Sequence, residues 1–192
     1  MASVGIMICD SRRSFLKSIC SEFEKIKFNF PVFTLKMNGQ LDSSLNSLPA
    51  LQVEEEFSIK LKENREKDFL TRRTNFSVNK TDLIVYERKE KKLASSFSTG
   101  EQKIIIILII FAFLKFLKKI KYNNFIFLLD DIFSFLDKTF MDLIFKEICN
   151  LNVQTWITDV NNSWVSSFKS LENQIELLNI DDNRFKLDKK VI

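Results

Sequence analysis

The chain has 192 residues, 45% hydrophobic and 28% charged, with a formal net charge of +4; that length suits one substantial core with an appendage, and that balance excludes a disordered chain. No histidine is present, which excludes imidazole-based triads and most zinc sites and leaves acid–base chemistry to carboxylates, Lys, Tyr or Cys. The three cysteines, Cys9, Cys20 and Cys149, form no CxxC pair, so free thiols in a reducing cytosol are expected rather than a disulfide framework.

In chain order, Leu16, Ile19, Cys20, Phe23 and Ile26 recur at helical spacing and predict an amphipathic helix that must end before Pro31. The N-terminus has no basic segment leading into an unbroken apolar core, so no signal peptide is expected. Phe33, Leu35 and Met37 alternate with polar or smaller residues ahead of Asn38-Gly39, the pattern of a strand entering a turn. The stretch 41–49 reads as a loop. From Ala50 a second helix follows with Glu54–Glu56 early and Lys60, Lys62 and Arg65 late, the charge order that complements a helix dipole; its apolar ridge is Val53, Phe57 and Leu61. Residues 71–81 are polar and irregular, "DLIVYER" reads as a strand, and Lys89–Lys92 form a charged turn.

The apolar run 104–114 lies between Lys103 and Lys115. It is too short for a membrane span, which takes roughly 17–25 residues, and reads as a buried core helix. Five apolar residues, Phe125 to Leu129, then stop at Asp130-Asp131, the pattern of a central strand covered on both faces. A helix over about 137–150 presents Phe140, Leu143, Ile144 and Ile148, and "VQTWIT" is the next strand. Helix, strand, helix, strand in this order predicts right-handed crossovers and a parallel sheet, an α/β fold. Weaker strands are expected over 174–180 and 184–187.

Ser98-Thr99-Gly100-Glu101 satisfies the S-x-x-E capping box, in which the Ser98 hydroxyl accepts from the Glu101 amide and the Glu101 carboxylate returns to the Ser98 amide. The same helix start offers free amides and a positive dipole end to an anion, with Gly100 allowing close approach. Asp130 and Asp131 carry a similar pair of readings. Two acids at a strand end can simply begin a turn, or Asp130 can hold magnesium through its oxygens while Asp131 orients or deprotonates a water attacking a phosphoryl group. Asp137 reads as the N-cap of the following helix. Residues 60–92 hold 11 Lys plus Arg against 6 Asp plus Glu. This is either a solvated basic face or a surface for phosphate backbones, with Arg72, Arg73 and Lys80 as candidate DNA contacts.

In register, "FSTGEQK", "FIFLLDD" and "FSFLD" resemble the signature motif, Walker B strand and D-loop of the RecF family, DNA recombination and repair ATPases of the ABC and SMC class. The resemblance extends upstream through "VGIMICDSRRSFL", Phe30-Pro31, "VEEEF" and "LKENREKDFLTRRT", covering about residues 1–160. It implies the C-terminal half of such a protein: a mostly helical arm over 1–80, and over 81–192 the C-terminal lobe of an ABC-type P-loop ATPase, a parallel sheet with flanking helices.

By that resemblance the segment Ser98, Thr99, Gly100, Glu101 and Gln102 would bind ATP held by a second subunit, Ser98 and Gly100 contacting the terminal phosphate and Gln102 supporting the loop. Asp130 would serve Mg2+ and Asp131 the attacking water. Ser134 and Asp137 would belong to the D-loop, and Thr158 would be a switch residue. The implied partners are DNA at single-strand/double-strand junctions, a RecF-like N-terminal half or second chain, and a RecR-type mediator, in an SOS-linked cytoplasmic pathway without a membrane. Two departures stand out. Gly5, Gly39 and Gly100 are the only glycines and cannot form a G-x-x-x-x-G-K-[ST] phosphate loop, so the chain is expected to start at the middle of a RecF protein and to need a separate Walker A half. The segment "NFSVNKTDL" stands where the family has G-P-H-R-x-D, with only Thr74 and Asp82 retained. The alternative expectation is a non-enzymatic remnant that binds DNA or dimerises.

Overall fold

A computed structural model describes residues 1–26, 30–122, 124–134, 136–159, 179–181 and 184–186. Contacts divide the chain into two units, Met1–Asn123 and Asn124–Ile192. Among the described residues no helix is long and apolar enough to cross a membrane, and Cys9, Cys20 and Cys149 are free thiols.

The first unit is organised on helix α1, Ala2–Phe23, which carries Leu16, Ile19, Cys20 and Phe23 of the expected stripe, starts well before them and ends short of Ile26. Strand β1, Phe33–Gly39, pairs antiparallel with β2, Thr81–Glu87, Phe33 facing Glu87 and Gly39 facing Thr81. Between them lie three helices: α2, Gln40–Ser44; α3, Ala50–Glu63; and α4, Arg65–Thr71. Ile6 and Cys9 of α1, Leu41 of α2, and Val53 and Phe57 of α3 make one buried cluster, with Leu45, Leu48, Leu61, Phe76 and Val78 packed around it. Helix α5, Thr99–Lys119, buries Ile104, Ile105, Ile107, Leu108, Phe111, Ala112 and Leu114. It lies on α1 through the Phe15 ring, edge-on to Phe113 at 5.9 Å and to Phe116 at 5.4 Å. Buried Glu22 of α1 accepts from Lys119 of α5 at 3.3 Å and from Lys25 at 2.7 Å.

Two expectations are corrected here. The stretch 41–49, expected as a loop, opens with helix α2. Its Ser- and Asn-containing composition conceals Leu41, Leu45 and Leu48 at helical spacing, and all three pack on the cluster. Asn38-Gly39 does not make a hairpin turn: β1 runs through Gly39, which at φ −146° is extended and caps α2. Glycine is needed there because a Cβ would overlap the Thr81 side chain, whose hydroxyl bonds the carboxylate of buried Asp42.

In the second unit β3, Phe127–Asp130, pairs in parallel with β4, Thr155–Thr158, Leu128 facing Trp156 and Asp130 facing Thr158. The crossover is α6, Lys138–Leu151, which buries Ile144, Phe145 and Leu151, and the Phe145 ring stacks on Phe133 at 5.0 Å. The expected strand with both faces covered is corrected. Phe127 and Leu129 are buried, while Leu128 is 71% exposed and Ile126 57% exposed, so one face of the strand is open. A short hairpin, β5 (Asn179–Asp181) with β6 (Arg184–Lys186), ends the described chain; the rest of the two expected tail strands, 174–178 and 187, lies outside the described residues.

Candidate functional site

The sequence-selected residues form two groups, one in each unit. In the first unit Ser98 caps α5 in an extended conformation, and the full capping box is present. The Glu101 amide donates to the Ser98 hydroxyl at 3.3 Å. The Ser98 amide and hydroxyl donate to the Glu101 carboxylate at 2.8 and 2.7 Å, and these bonds hold the Glu101 carboxyl below its ordinary pKa. A permanent negative charge thus already sits at the positive end of the helix dipole, and an incoming phosphate must displace it or bind beside it. Gln102 reaches back from α5 and donates to the carbonyls of Phe97 at 2.8 Å and Ser95 at 3.1 Å. It thereby fixes the approach to the helix, where Phe97 packs edge-on against Phe33 at 5.4 Å and lies under the Lys92 ammonium at 4.7 Å. Ser98 and Thr99 are exposed and Gly100 is half-buried, and the Thr99 and Gly100 amides have no intrahelical acceptor.

In the second unit the parallel pairing carries the chemistry. Register sets Asp130 opposite Thr158, and the Thr158 hydroxyl donates to Asp130 Oδ1. The chain then turns sharply: Asp131 adopts φ 46°, a left-handed conformation that Asp tolerates better than most residues. Its amide donates to the Thr158 carbonyl at 3.1 Å. The Ser134 hydroxyl lies 2.9 Å from Asp131 Oδ2 and 3.1 Å from the Asp131 carbonyl, donating to this pair. Asp130, Asp131, Ser134 and Thr158 therefore form one hydrogen-bonded cluster at the carboxyl end of the parallel strands, where open α/β sheets present ligand sites. Asp130 and Asp131 are both exposed. Asp137 stands apart from that cluster as the N-cap of α6, accepting from the Phe140 amide at 2.9 Å.

The fit to Mg2+ follows from the donor set. No group of three His, Cys, Asp or Glu is assembled among the described residues, but Mg2+ is commonly held by one or two carboxylates with substrate phosphates and water completing its octahedron. Exposed Asp130, oriented by Thr158, is a donor of that kind. Arg72, Arg73 and Lys80 all lie exposed in the first unit, Arg72 at φ 50° just past α4.

Sequence reasoning named Thr158 and Ser134 without their bonds to the two aspartates, because only strand pairing brings position 158 to position 130. It missed the Asp42–Thr81 bond and a cavity of about 280 Å³ lined by Gln40, Asn75, Ser77, Lys80 and Thr81. The departure from G-P-H-R-x-D over this same segment was the available signal. Cys9 is buried, and burial and then the Asp42 charge push its thiol up.

No protein-family model matches the chain. It is 32% identical over 181 residues to the DNA replication and repair protein RecF of Rickettsia akari (strain Hartford), an alignment covering 92% of this chain and 49% of that protein. The RecF of Rickettsia typhi (strain ATCC VR-144 / Wilmington) is also 32% identical, and that of Rickettsia bellii (strain OSU 85-389) is 29% identical, each with the same coverage. A solved structure described as the recombination mediator protein RecF-ATPrS in the RecFOR pathway superposes with a TM-score of 0.63 at 15% identity, covering 84% of this chain and 43% of that one. The chain is therefore RecF-like in sequence and shares the α/β fold of that RecF structure. It corresponds to the C-terminal half and spans about half the length of the curated relatives it matches.

Proposed function

We propose that this RecF-like chain works in the cytoplasm in DNA recombination, gap repair and replication-fork maintenance within an SOS-linked response, binding single- and double-stranded DNA under the control of ATP. Residues 1–80 act as the arm and 81–192 as the ATPase lobe. The chain contributes Ser98 to Gln102 to a nucleotide whose phosphates are cradled by a Walker A half or a second RecF-like chain. A RecR-type mediator and single-strand/double-strand DNA junctions complete the assembly.

The observation that carries this reading is the Thr158–Asp130–Asp131–Ser134 cluster at the end of a parallel strand pair. Phosphoryl transfer asks the protein for positioning and charge neutralisation more than for covalent chemistry. Mg2+, when bound, neutralises charge on the phosphate oxygens. Asp130, oriented by the Thr158 hydroxyl, would hold the metal, and that bond ties it to β4. Asp131, steadied by Ser134, orients the attacking water and accepts its proton. At a separate nucleotide, held by a second chain, Ser98 and the Thr99 and Gly100 amides contact the terminal phosphate, Glu101 yielding its place at the helix end, while Gln102 keeps the approach rigid. Asp137 stands at the D-loop where two chains meet.

The test is ATP hydrolysis by this chain mixed with a RecF-type Walker A half. Asp131→Asn is expected to lower the rate about 100-fold, the lower range for loss of a positioned general base, without lowering the melting temperature. Equal rates for the two chains remove the role of Asp131. The three glycines, none spaced for a phosphate loop, favour a second reading in which the chain only binds DNA or dimerises. DNA affinity that is unaffected by ATP and by the Walker A half, with a steep salt dependence, selects that reading.

A further inference from the structure

Helix α4 is unusual within its unit because it buries none of its residues. Phe69 is 84% exposed and Leu70 80% exposed, yet the segment is tied down. The Asn75 amide and Nδ2 both donate to Asp68 Oδ1 at 2.8 Å, Nδ2 also lies 2.9 Å from Thr71 Oγ1, and the Thr71 hydroxyl donates to the Lys67 carbonyl at 2.8 Å. This network closes a turn that sets Arg72 at φ 50°, a conformation that costs an arginine free energy. At the other end the Asn64 side chain donates to the Lys60 carbonyl at 2.8 Å, breaking α3 from α4 without a gap.

What the turn holds out is an aromatic ring among cations. Arg65 precedes Phe69 by four residues and shares its helix face, and Arg72 and Arg73 follow it directly around the turn. None of Arg65, Lys67, Arg72 or Arg73 has an ion-pair partner among the described residues. Three acids share the stretch, Glu63 and Glu66 exposed and Asp68 accepting from Asn75, so these four cations stand against three carboxylates. An ordered surface without core contacts that shows apolar area ringed by unpaired guanidinium groups is built for a partner. Its charge calls for a polyanion, and its ring calls for flat apolar faces. Single-stranded nucleic acid supplies both, phosphates for the arginines and unstacked bases for Phe69. An intact duplex offers phosphates but keeps its base faces stacked.

We infer that the α4 tip is a single-strand-binding element in which Phe69 stacks on an exposed base while Arg65, Arg72 and Arg73 hold the flanking phosphates. The inference rests on the DNA reading above and adds to it which strand the arm engages and with which residues. Because Phe69 touches no core, Phe69→Ala is expected to keep the wild-type melting temperature.

The experiment measures binding of the full chain, without nucleotide, to a fluorescent oligo(dT) and to a duplex of equal length over a range of salt. Phe69→Ala is expected to weaken oligo(dT) binding about tenfold with little change for duplex and no change in salt slope, and Phe69→Trp to restore it. Arg72→Ala with Arg73→Ala is expected to flatten the single-strand salt slope by about 1.4, at about 0.7 per phosphate contact. Wild-type affinity of Phe69→Ala for oligo(dT) overturns the inference while leaving DNA binding through other surfaces intact. Equal loss on both DNAs, or loss of self-association in place of DNA binding, also overturns it, the latter identifying the tip as a protein contact. Failure of the wild-type chain to bind either DNA removes the DNA reading and this inference together.

Discussion

Gly5 sits where α1 crosses α3, and a Cβ there would overlap the Phe57 ring, which is itself held edge-on against Phe76 at 5.5 Å. Alanine would gain about 1 kcal/mol of helix propensity and lose more to overpacking, typically 1–3 kcal/mol. Gly5→Ala is therefore expected to destabilise the chain by about 1 kcal/mol, measured by urea unfolding; an increase in stability would mean the ring moves freely. At the head of α5, Ser98→Ala removes the two bonds of the hydroxyl, the one it accepts from the Glu101 amide and the one it donates to the Glu101 carboxylate, for an expected loss of about 1 kcal/mol. Local spacing alone was enough to read this box, since all its bonds span three residues. The need for glycine at positions 5 and 39 was not readable, because the atoms that would clash belong to Phe57 and Thr81.

At the scale of elements, α1 and α5 are joined by Phe15 and by Glu22, a buried carboxylate that accepts from half-exposed Lys25 and Lys119. Hydrogen bonding to Lys25, then to Lys119, outweighs burial and holds the Glu22 carboxyl below its ordinary value. The sign of the linkage follows. The unfolded chain takes up this proton first, near the ordinary glutamate value of about 4.3, so the stabilisation is complete above that pH and is lost as pH falls toward the lower folded value. Glu22→Gln is expected to cost about 1–2 kcal/mol at neutral pH, hydrogen bonds to charge discounted for exposed lysines. It should also flatten the acid limb of a melting-temperature profile between pH 7 and 3; an unchanged limb would show that Glu22 does not couple the helices. The apolar ridge of α3 and the long run of α5 were legible as periodicity, whereas α2 was hidden by its polar residues.

For the whole molecule, the open face of the β3–β4 pair matters most. Leu128 and its register partner Trp156, the latter 49% exposed, lie side by side with Ile126 along the same face. Contiguous exposed apolar surface of this kind promotes association. The chain is expected to self-associate with rising concentration in sedimentation or light scattering, and Leu128→Lys with Trp156→Ser to reduce this. A sharp monomer at all concentrations, melting cooperatively, would contradict the expectation. A Walker A half that pairs with the chain should suppress self-association in wild type.

The amino-acid sequence by itself determined what short-range physics encodes: the capping box at Ser98, the buried run of α5, the halt of an apolar strand at two aspartates, and the Asp137 cap of α6. It also carried the order of motifs that marks a RecF-like half. Tertiary structure alone decided the antiparallel match of β1 with β2 and the bond from Thr158 to Asp130. Those outcomes join residues tens of positions apart, and the free energy that selects them comes from burial and pairing between elements, which no local periodicity records.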